Sequence, residues 1–240
     1  MKRILSNILV AVLCIGMLTG CGGSQIDAGK YAQGCLDALL KAKFSEEYLK
    51  YSGNNEESAK QAYNQSIDKD LELFLSDSTD TSDELKAKYR EMFVEVYKNT
   101  KYEIGKVTAK ENNSYTVVVK AYRLIVFANT VDPVLDYYNG LSSKKQDKVT
   151  QEQLDTMVVD NAMKNLEEPK YDETPTEVEI TVAPVDGNSA VYGISTEDYQ
   201  NVYSALMDGT EWTETNEESE DGSDDSDDGT DENPDEIVIE

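Results

Sequence analysis

Apolar and polar positions follow two different periods along this chain, and the switch between them divides it. From Ala28 to Asn99 apolar residues recur every three or four positions, as in a helix with one buried face. Tyr31, Cys35, Leu39 and Ala42 form one stripe, with Ala28, Leu36 and Leu40 beside it, and predict a first helix ending near Lys43. Ser45 reads as the N-cap of a short second helix, with Phe44 and Leu49 as its hydrophobic staple. Gly53-Asn54-Asn55 breaks the chain before a third helix, which places Ala59, Ala62, Tyr63, Ile67, Leu71, Phe74 and Leu75 on one side. Residues 76–82 are polar and turn-like. Thr81 and Glu84 then make a capping-box pattern for a fourth helix carrying Leu85, Tyr89, Met92, Phe93 and Val96 and stopping near Asn99.

The period then drops to two. Tyr102, Ile104 and Val107 read as a strand, and Glu111-Asn112-Asn113-Ser114 as a turn. Tyr115 to Phe127 is rich in β-branched and aromatic residues, and its continuous apolar character predicts a central strand. Asp132-Pro133 opens a short helix, with Asp132 as N-cap and Gly140 as its end. Thr150 and Gln153 form a second capping box, for a helix over 151–167. Val178, Ile180 and Val182 alternate with Glu177, Glu179 and Thr181, which predicts a half-buried strand. A turn at Asp186-Gly187-Asn188 leads to a returning strand from Ala190. Ser195 then caps a last helix, whose face is Tyr199, Val202, Tyr203 and Leu206 and whose end is Gly209. Helices followed by hairpins predict an α+β fold: N-terminal helices packed on a curved antiparallel sheet, with a helical insertion.

The two ends of the chain have a different character. Lys2 and Arg3 precede an apolar run from Ile4 to Met17, too short to cross a bilayer, which needs roughly 20 apolar residues. A basic start, a short apolar core and small residues at the end describe a secretory signal. Gly22 to Gln25 is a flexible spacer. At the other end, 214–236 is acidic, holds no Lys, Arg or apolar residue, and reads as disordered. Ile237-Val238-Ile239 then follows as an isolated apolar triplet, read as a frayed end. The expected organisation is a leader over 1–20, a tether over 21–27, a single domain over 28–208 and an acidic tail over 209–240.

Charge narrows the class of partner. The chain of 240 residues carries 22 basic and 48 acidic residues, a net charge of −26. Glu211 to Glu240 contributes 15 acids and no base, so the body is acidic as well. Such a surface repels nucleic acid and attracts cations weakly, or basic partners. There is no His, which removes Ser-His-Asp and Cys-His machinery and His-ligated zinc. With Cys14 in the leader and Cys21 at its end, Cys35 is left without an intrachain disulfide partner and reads as a small buried apolar residue.

Leu18-Thr19-Gly20-Cys21 resembles the lipobox of bacterial lipoproteins. The resemblance implies cleavage between Gly20 and Cys21, a diacylglyceryl thioether on Cys21, and attachment to the extracytoplasmic face of the cell membrane. Two acyl chains anchor stably where one binds only marginally. The lipobox, the Gly/Ser spacer, the early Tyr/Ala/Leu helix and the late strands together resemble small lipoproteins of uncharacterised function from Gram-positive bacteria. Several of those are cystatin-like or nuclear-transport-factor-like. This implies a cone-shaped fold whose concave sheet often hosts ligands, and carries over no catalytic residue.

Other motifs have ordinary explanations. Ser66/Lys69 and Ser142/Lys145 match S-x-x-K without the S-D-N and K-T-G partners that penicillin-recognising enzymes need. Asp224, Asp228 and Asp235 sit at EF-hand-like spacings but without flanking helices or the bidentate Glu, so composition explains them. The adjacent pairs Glu167/Glu168 and Glu197/Asp198 point apart on a helix and read as solvated faces. Asn64 and Asn112 head N-x-S triplets, which the bacterial origin implied by the lipobox resemblance leaves without consequence. Tyr122, Tyr137 and Tyr192 are candidates to line a pocket, since cavities use amphipathic rings. No cofactor is expected. The leading expectation is a lipid-anchored, non-enzymatic domain that binds a ligand or protein partner at the cell surface. The alternatives are a carboxylate-based cell-envelope hydrolase with its site on the concave sheet, and an interaction protein acting through its acidic tail.

Overall fold

The computed structural model describes residues 26–76, 81–185 and 188–207. The leader, the lipobox with Cys21, the acidic tail with Asp224, Asp228 and Asp235, and the triplet Ile237-Val238-Ile239 lie outside these residues. Helices α1 (Ala28–Lys41), α2 (Glu46–Ser52), α3 (Glu56–Phe74) and α4 (Asp83–Lys98) come first, then the hairpin of β1 (Lys101–Ala109) and β2 (Tyr115–Tyr122). An insertion follows: β3 (Leu124–Ile125), α5 (Asp132–Asn139), α6 (Ser143–Gln146), α7 (Gln151–Glu167) and β4 (Lys170–Tyr171). The described chain closes with β5 (Thr176–Val185), β6 (Asn188–Ile194) and α8 (Thr196–Leu206).

Side-chain oxygens of hydroxyl, amide and carboxylate groups cap the starts of most of the helices. Asp27, Ser45, Asn55, Ser82, Thr150 and Ser195 each accept a backbone N–H from the first turn. Thr150 and Gln153 close the expected capping box. Two predicted caps move. Ser82, not Thr81, caps α4, because its Oγ reaches the Leu85 N–H. Val131, not Asp132, holds the cap position of α5, with Pro133 in the first turn and no side-chain cap. The tether also shortens at its far end: Ile26 is buried in the core and Asp27 caps α1.

The fold is α+β, as the two periods predict. Its main sheet is antiparallel in the order β1-β2-β5-β6, so the whole insertion lies in sequence between two strands that are neighbours in space. The predicted 13-residue strand stops at Tyr122. Arg123 leaves the ladder, its guanidinium forked onto the Asp172 carboxylate at 2.8 and 3.2 Å while its carbonyl accepts the Asp172 N–H at 3.0 Å. Leu124 and Ile125 pair instead with Tyr171 and Lys170.

One face of the sheet is buried and the other is solvated, which is the period-two pattern made real. Val117, Val119 and Ala121 of β2 and Ile180 and Val182 of β5 lie on the inner face, beneath α1 and α8. Thr116, Lys120, Glu177 and Glu179 lie on the outer face, where Lys120 reaches Glu177 at 3.8 Å. Helices α3 and α4 pack behind α1, and α7 packs on α4. Gly34 allows α1 and α2 to approach, since a Cβ there would stand 2.5 Å from Ser45 Oγ.

Helix α1 runs antiparallel to β1. Its start lies beside Val107, which a Cβ on Gly29 would meet at 3.3 Å. Its end lies beside Tyr102, whose hydroxyl donates to Asp37 at 2.7 Å. The N-terminal entry at Ile26 is therefore at one end of the sheet. The insertion leaves β2 at the other end, where Tyr122 faces Lys101.

Candidate functional site

The inner face of the sheet, where a ligand-binding or hydrolytic reading expects an open concave site, is filled. Its inward residues pack on α1 and α8, and Tyr192 lies among Tyr31 and Tyr51 at ring-centroid distances of 6.4 and 6.0 Å. The Tyr31 hydroxyl donates to the Tyr192 carbonyl. The three candidate pocket tyrosines are not brought together. Tyr192 is in this interior cluster. Tyr122 lies under the Lys101 ammonium at 4.2 Å, at the far end of β2. With β6 paired near the Tyr115 end, about 20 Å of strand separates Tyr122 from Tyr192. Tyr137 is 47% exposed on α5.

The remaining sequence candidates have structural partners. Ser66 is buried, and its hydroxyl donates to the Tyr63 carbonyl of its own helix at 2.8 Å. Ser142 is the N-cap of α6, and Lys145 is exposed one turn on. Asp198 accepts the Thr181 N–H at 2.9 Å and so pins α8 to β5, while Glu197, Glu167 and Glu168 are exposed. Cys35 is buried. Among the described residues no group of three or more His, Cys, Asp or Glu could hold a metal ion, and no helix is long and apolar enough to cross a membrane.

A buried carboxylate was not anticipated. Asp70 is 3% exposed and sits on the apolar stripe of α3, three residues after Ile67 and four before Phe74. The Tyr97 hydroxyl of α4 donates to it at 2.5 Å and lies 3.3 Å from the Tyr203 hydroxyl of α8. Burial pushes the Asp70 carboxyl up to about 7, against the lowering effects of the Tyr97 hydrogen bond and of Lys69. Burial likewise raises Tyr97 well above the ordinary phenol range. An acid among apolar helical positions is the signal that marks Asp70 in the sequence. Nothing there names its partners, which lie 27 and more positions away. A shallow polar groove of about 240 Å³ also lies between the first turns of α4 and α7, lined by Glu84, Lys88, Glu152 and Thr156 among others. Ser82 donates to Glu152 beside it.

The surface that stands apart is the appendage formed by α5 and α6. Among the described residues, the exposed large hydrophobics are Val107, Val131, Leu135 and Tyr137, and three of these four fall within seven positions. Leu135 is 51% exposed and Val131 39%. Only Val134 of this helix is buried, with Tyr138 one turn on half-buried; α5 packs against α7. The base of the appendage is held firmly nonetheless. Asn165 of α7 donates to the Val126 and Ala128 carbonyls at 2.7 and 3.1 Å, and Asn161 donates to the Thr130 carbonyl at 2.9 Å. These bonds satisfy backbone that has left the sheet. Gln146 donates to the Tyr138 carbonyl at 2.9 Å and folds α6 onto α5. Helix α6 brings Lys144 and Lys145, and Lys148 follows it; all three are exposed, and none is ion-paired among the described residues. Val131 and Leu135, one turn apart, thus form an open apolar flank of α5, with Tyr137 exposed on the other flank; Lys144, Lys145 and Lys148 cluster with one acid, Asp147, while Asp132 and Asp136 are exposed on α5 itself. Sequence periodicity shows that Leu135 and Tyr137 are apolar, but not that no described element packs over them.

No protein-family model and no curated protein sequence matches the chain. Among solved structures, the fold is similar to the crystal structure of a candidate lipoprotein, YcdA, from Bacillus subtilis, with a TM-score of 0.56 and 16% identity. The match covers 76% of this chain and 56% of that one, so this chain spans about half the length of that structure. At this identity the likeness shows a shared α+β fold.

Proposed function

We propose that this protein is a lipid-anchored extracytoplasmic interaction domain, held through diacylglyceryl-Cys21, that docks a protein partner on its α5–α6 appendage and performs no catalysis. The lipobox supports the anchor, and the fold it shares with a protein named as a candidate lipoprotein agrees with it. The observation that carries the docking surface is the exposure of Val131 and Leu135, one turn apart on a helix whose base is well secured, with Tyr137 exposed on the opposite flank. An apolar patch held open by a rigid support marks an interaction site. Lys144, Lys145 and Lys148 beside it suit a partner that offers an apolar contact with an acidic rim. The appendage leaves the sheet at the end opposite Ile26, so a chain fastened near its start presents it away from the bilayer.

Two experiments test the two halves of this reading. Palmitate labelling of wild type and Cys21→Ala examines the anchor; label confined to wild type is expected, and equal label in both rejects it. A photo-crosslinking residue at 135 or 137 in intact cells examines the surface. The expected result is a discrete adduct at both positions, absent at the exposed control position Glu179 and lost in Lys144→Glu/Lys145→Glu/Lys148→Glu. Equal yield at the control position, or no adduct at either site, rejects docking there.

A further inference from the structure

We infer that the acidic tail of this same chain covers the appendage. Ile237-Val238-Ile239 seats against Val131 and Leu135, and the preceding carboxylates lie over Lys144, Lys145 and Lys148. This inference rests on the reading of α5–α6 as a docking surface and adds its regulation: the tail carries the chemistry expected of the partner and competes with it.

Three observations lead there. The first is where the described chain stops. Met207 follows α8 and makes a parallel bridge to Leu124, the residue that opens the insertion. From Leu124 to Val131 is seven residues, at most about 25 Å of chain. The chain therefore leaves the described residues at the foot of the appendage, and Ile237 follows Met207 by 30 positions. A coil of that length has an end-to-end distance of about 30 Å, enough to reach α5, and gives an effective concentration on the order of millimolar.

The second is charge. The tail's acids are repelled by an acidic body nearly everywhere. The basic residues of α4 are engaged: Lys86 lies 3.8 Å from Asp83, Lys88 2.9 Å from Asp160 and Arg90 2.7 Å from Asp68. Lys144, Lys145 and Lys148 have no such partner among the described residues and outnumber the one acid among them, Asp147, so this stretch attracts polyanionic chain. The third is the order of residues in the tail. After Met207 the aliphatic residues are Ile237, Val238 and Ile239, and they come after the acids. An acidic stretch followed by an apolar triplet is the complement, in antiparallel order, of an apolar helix flank followed by a lysine cluster.

Amide exchange of the full chain in detergent tests this, against Ile237→Ser/Val238→Ser/Ile239→Ser and against a chain stopped after Trp212. Unchanged exchange in α1 and β2 verifies that both variants fold. The expected result is about tenfold slower exchange over 131–141 in the full chain, lost in both variants. It is also expected to weaken between about 0.02 and 0.5 M salt. Identical exchange in all three chains overturns the inference. Protection that rises with protein concentration overturns it too, because it assigns the occupant to a second copy. Crosslinking from position 135 separates this result from the docking reading. Covering predicts that the stopped chain captures partner about tenfold more efficiently. Adducts of equal yield in both chains refute the covering and leave docking intact, and absence of adducts from the stopped chain refutes both.

Discussion

Tyr97 and Tyr137 carry the same phenol, and the chain treats them oppositely. Tyr97 is enclosed by α3, α4 and α8, donates to Asp70 and touches Tyr203. Tyr137 stands on a helix with one buried residue and faces outward. The interior junction uses long-range hydrogen bonds to fix three helices to one another. The appendage invests its hydrogen bonds in its own foot, through Asn161 and Asn165, and leaves its apolar face open. Order and burial are therefore separable in this molecule. A segment can be well placed without being covered, and such a segment is where binding is to be sought.

The largest expected difference between the two regions is in stability. Ile67→Ala, at a fully buried position of α3, should cost about 3 kcal/mol in denaturant unfolding. Leu135→Ala should change it by less than about 0.5 kcal/mol. Equal losses would mean that the appendage is part of the cooperative core. The next contrast concerns pH. The carboxyl of Asp70 sits higher when folded than the ordinary 3.8, so its protonated form favours folding. Its contribution is fully present below about pH 4, falls as pH rises, and is lost above about 7. Asp70→Asn should flatten this dependence, by about 4 kcal/mol across that window, when unfolding is followed from pH 4 to 8. An unchanged slope would show that the carboxylate is solvated. A smaller effect separates foot from face: Thr150→Ala removes the capping box of α7 and should cost about 1 kcal/mol. The smallest is Tyr137→Ser, expected to leave the unfolding midpoint unchanged while abolishing crosslinking from position 135. A loss of stability there would show that Tyr137 is packed.

Much of this architecture is legible in local pattern. Ser45, Thr150 and Ser195 announce helix starts because a cap acts within three residues. The alternation of Val178, Ile180 and Val182 with acids reports a one-faced strand because neighbouring side chains point apart. What local pattern does not carry is what lies opposite. Thr81 and Ser82 are equally plausible caps, and packing decides between them. The strand through Tyr115 reads on to Phe127 because Leu124, Ile125 and Val126 are still apolar. Only the Asp172 carboxylate, 49 positions away, turns Arg123 out of the ladder. The candidate site was hidden for the same reason. The apolar residues of α5 match a helix with a covered face, and only the placement of α7 shows which of them remain open.

The bridge between Leu124 and Met207 has a mechanical meaning. Any tug on the chain beyond Met207, from a partner that grips it, arrives first at one short parallel contact. Leu124 opens the two-residue strand that leads into α5. Traction is thus delivered to the root of the appendage before it reaches the helices that hold the fold together.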